Sequence, residues 1–293
     1  EGDIVIIVIT GPTGVGKTKL SVSLAKKINA EVINADSMQV YKGLDIATAK
    51  IKEEEKEGVV HHLFDIAEVN DNYTVYDYQR DCRRKIEEIT SRGKNIIIVG
   101  GTGLYIKSAL YNYEFNEEEN TYDFSNMSNS EILNKIKEYD EDIDIHVNNR
   151  QRLERALTKV MNGTVNSLKG NQKLYDFKMI GLTLDRDLLY KRIDSRVDAM
   201  VRDGLIEEAR MLYDKGVYSK AIKTGIGYKE LYQYFDGKIT LDEALDLIKK
   251  NSRHYAKRQY TFFNNQFSMK WFNVDFDNFD NTIDEVYKYV TEE

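Results

Sequence analysis

Apolar residues along this chain form short runs that end in small or polar residues. The first three runs are Ile4 to Thr10, Glu31 to Asn34 and Asn95 to Val99, and two later ones are Met179 to Leu184 and Trp271 to Val274. Runs of this kind are typical of parallel strands that are buried on both faces of a sheet. The pattern therefore predicts an α/β protein built around a parallel sheet.

Between these runs, apolar residues recur at helical spacing. Helices are predicted over Lys17 to Asn29 and Thr74 to Arg92, and strand–helix alternation of this sort favours right-handed crossovers onto one sheet. Helical segments dominate after Asp187. They are Leu188 to Arg202, Leu205 to Lys215, Gly227 to Phe235 and Leu241 to Phe263.

The middle of the chain differs in composition from both ends. It is acidic and rich in asparagine from about Tyr111 to Phe177, with helical spacing in Ser130 to Tyr139 and in Arg150 to Met161. We interpret residues 111–177 as a mostly helical insertion domain within a core domain formed by residues 1–110 and 178–293. Two further segments have loop-like sequences: Gly43 to Ile51 and Glu114 to Asn129.

Composition indicates a globular protein of the cytoplasm. The 293 residues are 41% apolar and 31% charged, no apolar run reaches membrane-spanning length, and no charged-then-apolar leader precedes the first strand. A single cysteine, Cys82, excludes an internal disulfide and a cysteine-rich metal site, which fits a reducing compartment. We interpret Cys82 as a small packed side chain within its helix.

The net charge of −7 excludes a protein coated in positive potential, so a nucleic-acid partner would need local basic patches. Two segments offer such patches, and for each the alternative is a solvated helix face. The first contains Arg150, Arg152, Arg155 and Lys159, and the second contains Lys249, Lys250, Arg253, His254, Lys257 and Arg258.

A glycine-rich motif follows the first strand and leads into the first helix. It reads Gly11-Pro12-Thr13-Gly14-Val15-Gly16-Lys17-Thr18. The glycines allow a tight turn whose N–H groups point inward, and the helix end adds positive potential. Lys17 adds a charge and Thr18 a hydroxyl that can face a metal ion such as Mg²⁺. The motif predicts a P-loop that binds a diphosphate, and with it a P-loop NTPase-like sheet flanked by helices.

Polar residues also follow the second and third strands. Because ligands of open parallel sheets lie beyond the carboxyl ends of the strands, Asp36, Ser37 and Thr102 are expected near the P-loop. Asp36 is a candidate general base, with a helix N-cap or a metal-water ligand as alternatives. Thr102 follows two glycines, Gly100 and Gly101, and is either a site hydroxyl or a cap.

The P-loop alone leaves the reaction open. A nucleotide hydrolase would normally end one strand in an acidic residue that holds magnesium, but Val99 runs directly into glycines. A small-molecule kinase would require arginines that contact the transferred phosphate. Arg192, Arg196 and Arg202 lie at helical spacing and are either such clamps or solvated charges, so phosphoryl transfer remains an alternative.

Several motifs in a fixed order closely resemble the bacterial tRNA dimethylallyltransferases, and together they extend over nearly the entire chain. They are Gly11 to Thr18, Asn34 to Lys50, Val99 to Tyr105, Asn149 to Leu157, Thr224 to Glu230 and Ala256 to Gln259. The resemblance implies transfer of the dimethylallyl group of dimethylallyl diphosphate to the exocyclic amine of the adenine immediately 3′ of a tRNA anticodon.

The resemblance also implies roles for individual residues. Asp36 would take a proton from the amine, Thr102 would assist at the donor and base, and Arg196 would neutralise the leaving group. Mg²⁺ would act as cofactor and dimethylallyl diphosphate as co-substrate. Contacts to the tRNA anticodon stem-loop are expected for Asp36, Ser37, Met38, Gln39, Gln151, Arg152, Leu153, Glu154 and Arg155, and the second basic segment adds Lys257 and Arg258.

Three other functions remain as alternatives. An adenylate isopentenyltransferase would use a free nucleotide as acceptor, whereas the helical insertion and the second basic segment favour tRNA. A P-loop kinase would transfer the γ-phosphate of ATP. A non-catalytic RNA-binding protein would use a nucleotide only as a switch. The lead interpretation is a prenyltransferase that acts as a monomer and has no membrane partner.

Overall fold

The computed structural model describes residues 2–114, 122–169 and 171–292. Within these residues a single sheet has the strand order β3-β2-β4-β1-β5-β6, and every neighbouring pair is parallel. The predicted parallel sheet is therefore confirmed. Its strands are β1 (Ile6–Thr10), β2 (Ala30–Asn34), β3 (His61–His62), β4 (Asn95–Val99), β5 (Lys178–Thr183) and β6 (Lys270–Asn273).

Helices connect the strands and follow the last of them. The described residues contain α1 (Lys17–Ile28), α2 (Val75–Ser91), α3 (Gly103–Leu110), α4 (Asn129–Lys137), α5 (Arg150–Lys169), α6 (Arg186–Arg202), α7 (Leu205–Asp214), α8 (Lys220–Thr224), α9 (Tyr228–Phe235), α10 (Leu241–Gln266) and α11 (Phe279–Thr291). The sequence pattern did not predict β3, α3, α8 or α11. β3 and α8 are too short for a periodic signal, and α3 begins inside a glycine-rich motif.

The ends of several helices are fixed by local hydrogen bonds. The Thr74 hydroxyl accepts from the Asp77 N–H at 3.1 Å, and the Asp77 carboxylate accepts from the Thr74 N–H at 2.9 Å. This reciprocal cap begins α2, and Thr240 with Glu243 begins α10 in the same way. On α2, burial raises the pKa of the Cys82 thiol to about 12, which fits the predicted packed side chain.

The sheet is the centre of the main hydrophobic core. Every residue of β1 is buried, and its register pairs Ile7 with Ile97 of β4 and Val8 with Met179 of β5. Leu20 of α1 packs against the same core. The central strands are therefore covered on both faces, as their continuous apolar runs predict.

The chain forms two compact units. One comprises Glu1–Ile106 and Tyr175–Glu293, and the other comprises Lys107–Leu174. The smaller unit has a core of its own, in which Phe124 packs with Ile132 and Ile136 of α4 and with Leu153 and Leu157 of α5. Part of the loop predicted over Glu114 to Asn129 lies outside the described residues. In the part of the chain that is described, no helix is both long and apolar enough to cross a membrane.

Candidate active site

The P-loop lies at the carboxyl end of β1, where its conformation requires glycine. Gly11, Gly14 and Gly16 all have positive φ angles, of 143°, 86° and 95°. A Cβ atom on Gly11 would lie 2.5 Å from the Leu182 carbonyl oxygen, and one on Gly16 would lie 2.6 Å from the Phe279 ring. Larger residues are therefore excluded at these positions, and α1 begins directly after the turn with its N–H groups facing the loop.

The Lys17 side chain folds back onto the P-loop. Its Nζ donates to the carbonyl oxygens of Gly11 and Pro12. Burial lowers the pKa of Lys17 to about 8; the carboxylate of Asp36 opposes this change and the charge of Arg196 adds to it. An anion bound in the loop would favour the charged form of the lysine, so anion binding and Lys17 protonation are coupled.

Asp36 follows β2 in a turn that orients its carboxylate. The Asn34 side chain accepts from the Asp36 N–H at 3.0 Å, and Asp36 Oδ1 accepts from the N–H groups of Met38 at 2.8 Å and Gln39 at 3.2 Å. Oδ1 is thus occupied by the backbone, and Oδ2 is the oxygen available to a substrate. The residues after Asp36 form a turn and not a helix, so Asp36 is no helix N-cap.

The environment of Asp36 raises its basicity. Burial raises the pKa of the carboxyl above its ordinary value, and the N–H groups of Met38 and Gln39 and the charge of Lys17 offset part of that increase. A carboxylate with a raised pKa is a stronger base than one in water. The geometry therefore suits Asp36 to accept a proton.

Thr102 joins the ends of β2 and β4. Its N–H donates to the Ala35 carbonyl at 3.0 Å, and its hydroxyl accepts from the Ser37 N–H at 2.9 Å and donates to the Ser37 hydroxyl at 3.3 Å. This close approach depends on Gly100, where a Cβ atom would lie 2.3 Å from the Ala35 backbone. Thr102 therefore holds the segment that carries Asp36.

One face of α6 lies beside the P-loop. Arg196 is close to Gly14, where an added Cβ would be 3.4 Å from the Arg196 Cδ atom. Its Nε is buried and has no hydrogen-bond partner among the described residues, and burial lowers the pKa of its guanidinium. Arg192, one turn earlier, donates from Nε to the Gly14 carbonyl at 3.0 Å and stacks 3.4 Å from the Phe276 ring centroid. Arg192 thus supports the loop, while Arg196 keeps donor capacity for an anion.

These elements enclose a pocket of about 300 Å³. Its lining includes Thr13 of the P-loop and the polar side chains of Asp36, Ser37 and Arg196. Six apolar residues of the lining, here called the apolar wall, are Ile193, Val197, Met200, Leu205, Ile226 and Ile248. Polar groups beside an anion-binding loop, together with an apolar wall, suit a small molecule with a diphosphate head and a short hydrocarbon tail.

Sequence reasoning missed the apolar wall and the places of Tyr255 and Gln259 of α10 in the pocket lining. Ile193, Val197 and Met200 follow one another at spacings of four and three residues on the helix that carries Arg196, so this helical periodicity was the available signal. On α10, Tyr255 and Gln259 line the pocket and approach the Gly101 carbonyl. Burial raises the pKa of Tyr255 to about 12, so its phenol stays neutral at physiological pH.

The segment Gly43 to Ile51 is fixed to the helices by the buried carboxylate of Glu208. Glu208 accepts from the N–H groups of Asp45 at 3.1 Å and Ile46 at 2.9 Å, and from the Tyr228 hydroxyl at 2.5 Å. Ala47, next in the segment, lines the pocket. Glu208 therefore shapes one wall of the pocket without lying in it.

Replacing Glu208 by Gln is expected to lower the free energy of unfolding by about 1–3 kcal/mol. The amide keeps one acceptor oxygen but turns an NH₂ group toward backbone donors, which leaves buried N–H groups unpaired. Urea unfolding followed by circular dichroism measures the change. Glu207→Gln, an exposed neighbour on the same helix, is the control, and equal midpoints for the two variants would contradict the assigned role.

Predicted tRNA-contacting residues lie in both units. In the second basic segment, Lys249 pairs with Asp198 at 2.9 Å and Arg253 with Asp194 at 2.6 Å, so acids of α6 neutralise this half of the segment. Lys257 and Arg258, nearer the end of α10, are exposed, and Arg258 also lines the pocket.

In the smaller unit, α5 presents Gln151, Arg152 and Arg155 to solvent. Glu154 is half-buried and pairs with Arg150 at 2.6 Å. Leu153 is fully buried in the core of that unit, so its side chain supports the exposed residues and is removed from the predicted set of tRNA contacts.

A magnesium site built only from protein side chains does not form in the described part of the chain. No group of three or more His, Cys, Asp or Glu residues there lies close enough to hold a metal ion. Thr18, in the first turn of α1, is half-buried beside the loop. A hydroxyl beside an anion-binding loop is compatible with Mg²⁺, which usually takes few protein ligands and binds together with phosphate groups.

Comparison with known proteins adds four matches that extend over both units. A model of the family described as IPP transferase matches residues 39–266. The tRNA dimethylallyltransferase of Anoxybacillus flavithermus is 46% identical, over 97% of this chain and 96% of that protein. The crystal structure of a tRNA Δ2-isopentenylpyrophosphate transferase from Staphylococcus epidermidis is 38% identical, with a TM-score of 0.76 over 98% of this chain and 99% of the other. The structure of a eukaryotic dimethylallyltransferase acting on tRNA is 29% identical, with a TM-score of 0.72 over 97% of this chain and 77% of the other.

Proposed function

This chain belongs to the IPP transferase family, and from that premise we propose that it transfers a dimethylallyl group from dimethylallyl diphosphate to tRNA. The enzyme is a prenyltransferase, as its relatives are. In the proposed reaction the acceptor is the exocyclic amine of the adenine immediately 3′ of the anticodon, and diphosphate is released. The observation that carries the proposal is the pocket, whose lining combines Thr13 of the P-loop, the carboxylate of Asp36 and the apolar wall.

The P-loop and Arg196 are proposed to stabilise the leaving group. Breaking the allylic C–O bond builds negative charge on the diphosphate oxygens, so donors fixed beside them stabilise the transition state more than the ground state. Lys17, Arg196 and the N–H groups of the loop are such donors. Mg²⁺, when bound through the diphosphate and Thr18, would neutralise further charge.

Asp36 is proposed as the general base. The amine nitrogen attacks the allylic carbon, the C–O electron pair leaves with diphosphate, and Asp36 Oδ2 takes one amine proton. The lone pair of an adenine amine is delocalised into the ring, so removing the proton as the bond forms lowers the barrier. General-base assistance of this kind typically contributes about 10²- to 10⁴-fold.

Contacts to tRNA are proposed for exposed residues of each unit. Gln151, Arg152 and Arg155 of α5, and Lys257 and Arg258 of α10, are exposed and match the expected polar or basic character. The reacting base must leave its stack to enter a pocket, at a cost of a few kcal/mol that new stacking contacts offset.

The direct test is incubation with labelled dimethylallyl diphosphate, Mg²⁺ and unmodified tRNA, followed by mass analysis of the nucleosides. The expected product is an adenosine heavier by one dimethylallyl group, at the position after the anticodon. Absence of transfer at saturating magnesium would refute the proposal. Parallel reactions with AMP as acceptor and with γ-labelled ATP as donor separate it from an adenylate isopentenyltransferase and from a kinase.

Replacing Lys257 and Arg258 together by Ala should weaken tRNA binding and reduce its salt dependence. Each phosphate contact contributes about 0.7–0.9 to the slope of log K against log salt, so loss of two contacts should reduce the slope by about 1.5. Filter binding at several KCl concentrations measures it. Lys249→Ala is the control, since Lys249 already pairs with Asp198. An unchanged slope in the double variant would contradict the contact.

Binding of inorganic diphosphate should weaken as pH rises above about 8, where Lys17 loses its proton in the ligand-free enzyme. Below that pH the ammonium is present before the ligand arrives, and above it binding must include uptake of a proton. Calorimetry in two buffers of different ionisation enthalpy measures this uptake. Affinity that stays constant from pH 7 to 9.5, with no proton uptake, would contradict it.

A further inference from the structure

Gln259 of α10 is a buried pocket residue for which the reaction above leaves no role. Its side chain is 6% exposed and lines the pocket. Its Nε2 donates to the Gly101 carbonyl at 3.0 Å, and the same carbonyl accepts from the Tyr255 hydroxyl at 3.5 Å. Its Oε1 is buried and has no hydrogen-bond partner among the described residues.

The orientation of this amide is determined by its neighbours. Gly101 offers a carbonyl oxygen, so the NH₂ group and not the oxygen must face it. The approach is close, because a Cβ atom on Gly101 would lie 2.2 Å from Nε2. Leaving a buried acceptor without a donor is energetically unfavourable, so a polar atom in this state inside a pocket indicates a donor that arrives with the substrate.

A short chain of contacts connects Gln259 to the general base. Gln259 Nε2 and the Tyr255 hydroxyl both donate to the Gly101 carbonyl, and the hydroxyl of the next residue, Thr102, accepts from the N–H of Ser37, the residue after Asp36. Gln259 and Asp36 both line the pocket. Asp36 contributes a base there, and Gln259 contributes a neutral acceptor.

We propose that Gln259 Oε1 accepts a hydrogen bond from the second hydrogen of the acceptor amine. This inference rests on the proposed function. The adenine amine has two hydrogens: one passes to Asp36 as nitrogen bonds to the allylic carbon and diphosphate leaves, and the other stays on nitrogen, held by Gln259. Gln259 is thus a specificity-determining residue, because a base with a carbonyl oxygen at this position would face two acceptors with no hydrogen to share.

The test compares binding of anticodon stem-loops that carry adenine, purine or hypoxanthine at the reacting position, in the presence of inorganic diphosphate. Purine lacks the amine, and hypoxanthine has a carbonyl oxygen in its place. The wild-type enzyme should prefer adenine to both. In Gln259→Met, which has similar length but no acceptor oxygen, the preference over purine should fall about five- to tenfold.

Thr261→Ala, at an exposed position on α10, is the control and should retain the full preference. Equal affinity of both variants for inorganic diphosphate shows that the P-loop is intact. A wild-type enzyme that does not distinguish adenine from purine, or an unchanged preference in Gln259→Met, would overturn the inference. Prenyl transfer by the wild-type enzyme is measured separately, so loss of this inference is distinguishable from failure of the proposed function.

Discussion

Replacing Asp36 by Asn is expected to lower the rate of prenyl transfer by about 10²- to 10⁴-fold while tRNA affinity changes little. Asparagine has the same shape, and its amide oxygen can still accept from the Met38 and Gln39 N–H groups, so the turn after β2 is preserved. The loss therefore reports the missing base. Single-turnover transfer with enzyme in excess measures the chemical step, and filter binding measures affinity for tRNA.

The pH dependence gives a second readout of the same residue. Because burial raises the pKa of Asp36, the fraction of active carboxylate, and with it kcat/KM, should rise with pH through that pKa in the wild-type enzyme. This rise of kcat/KM with pH should disappear in Asp36→Asn. Asp203→Asn, an exposed residue at the end of α6, is the control for loss of a negative charge. A rate reduced less than about threefold, well below the usual contribution of a general base, would exclude Asp36 from that role.

The contiguous parts of the site are those that the sequence predicted best. A P-loop is contiguous in the sequence. Its glycines, lysine and hydroxyl lie within eight consecutive residues, Gly11 to Thr18, between a strand and a helix. The meeting of Asp36 with Thr102 was also expected, because parallel strands bring their carboxyl ends to one edge. β2 and β4 are parallel neighbours, and the residues that follow them meet where the Ser37 N–H donates to the Thr102 hydroxyl.

Other parts depend on contacts between residues that are distant in the chain. Glu208 reaches Asp45 and Ile46 across more than 160 positions, and no local pattern distinguishes it from a surface glutamate. Gln259 is separated from Gly101 by 158 positions. The two-residue strand β3 exists because β2 offers an open edge, and its polar His-His sequence carries no strand signal.

Replacing Lys17 by Met should lower kcat/KM for dimethylallyl diphosphate by about 10²- to 10³-fold, the usual cost of removing one preorganised donor from a developing anion. The side chain length is preserved and the charge is lost. Lys26→Met, at an exposed position on the same helix, is the control. Steady-state kinetics at several donor concentrations measures the loss. Equal values of kcat/KM for the two variants would remove Lys17 from the diphosphate site.

The same substitution should make the folded protein more stable at neutral pH. Burial lowers the pKa of Lys17 from 10.5 to about 8, and this corresponds to about 3 kcal/mol of unfavourable free energy for keeping the ammonium in the folded state. Between pH 8 and 10.5 the unfolded chain binds more protons at this site than the folded one, so this cost falls as pH rises through that window. Lys17→Met should therefore exceed the wild type in urea resistance at pH 7, with the difference shrinking toward pH 10. A difference in stability that is independent of pH would mean that burial does not destabilise the charged form of Lys17. The P-loop would then hold this charge at no cost to the stability of the folded protein.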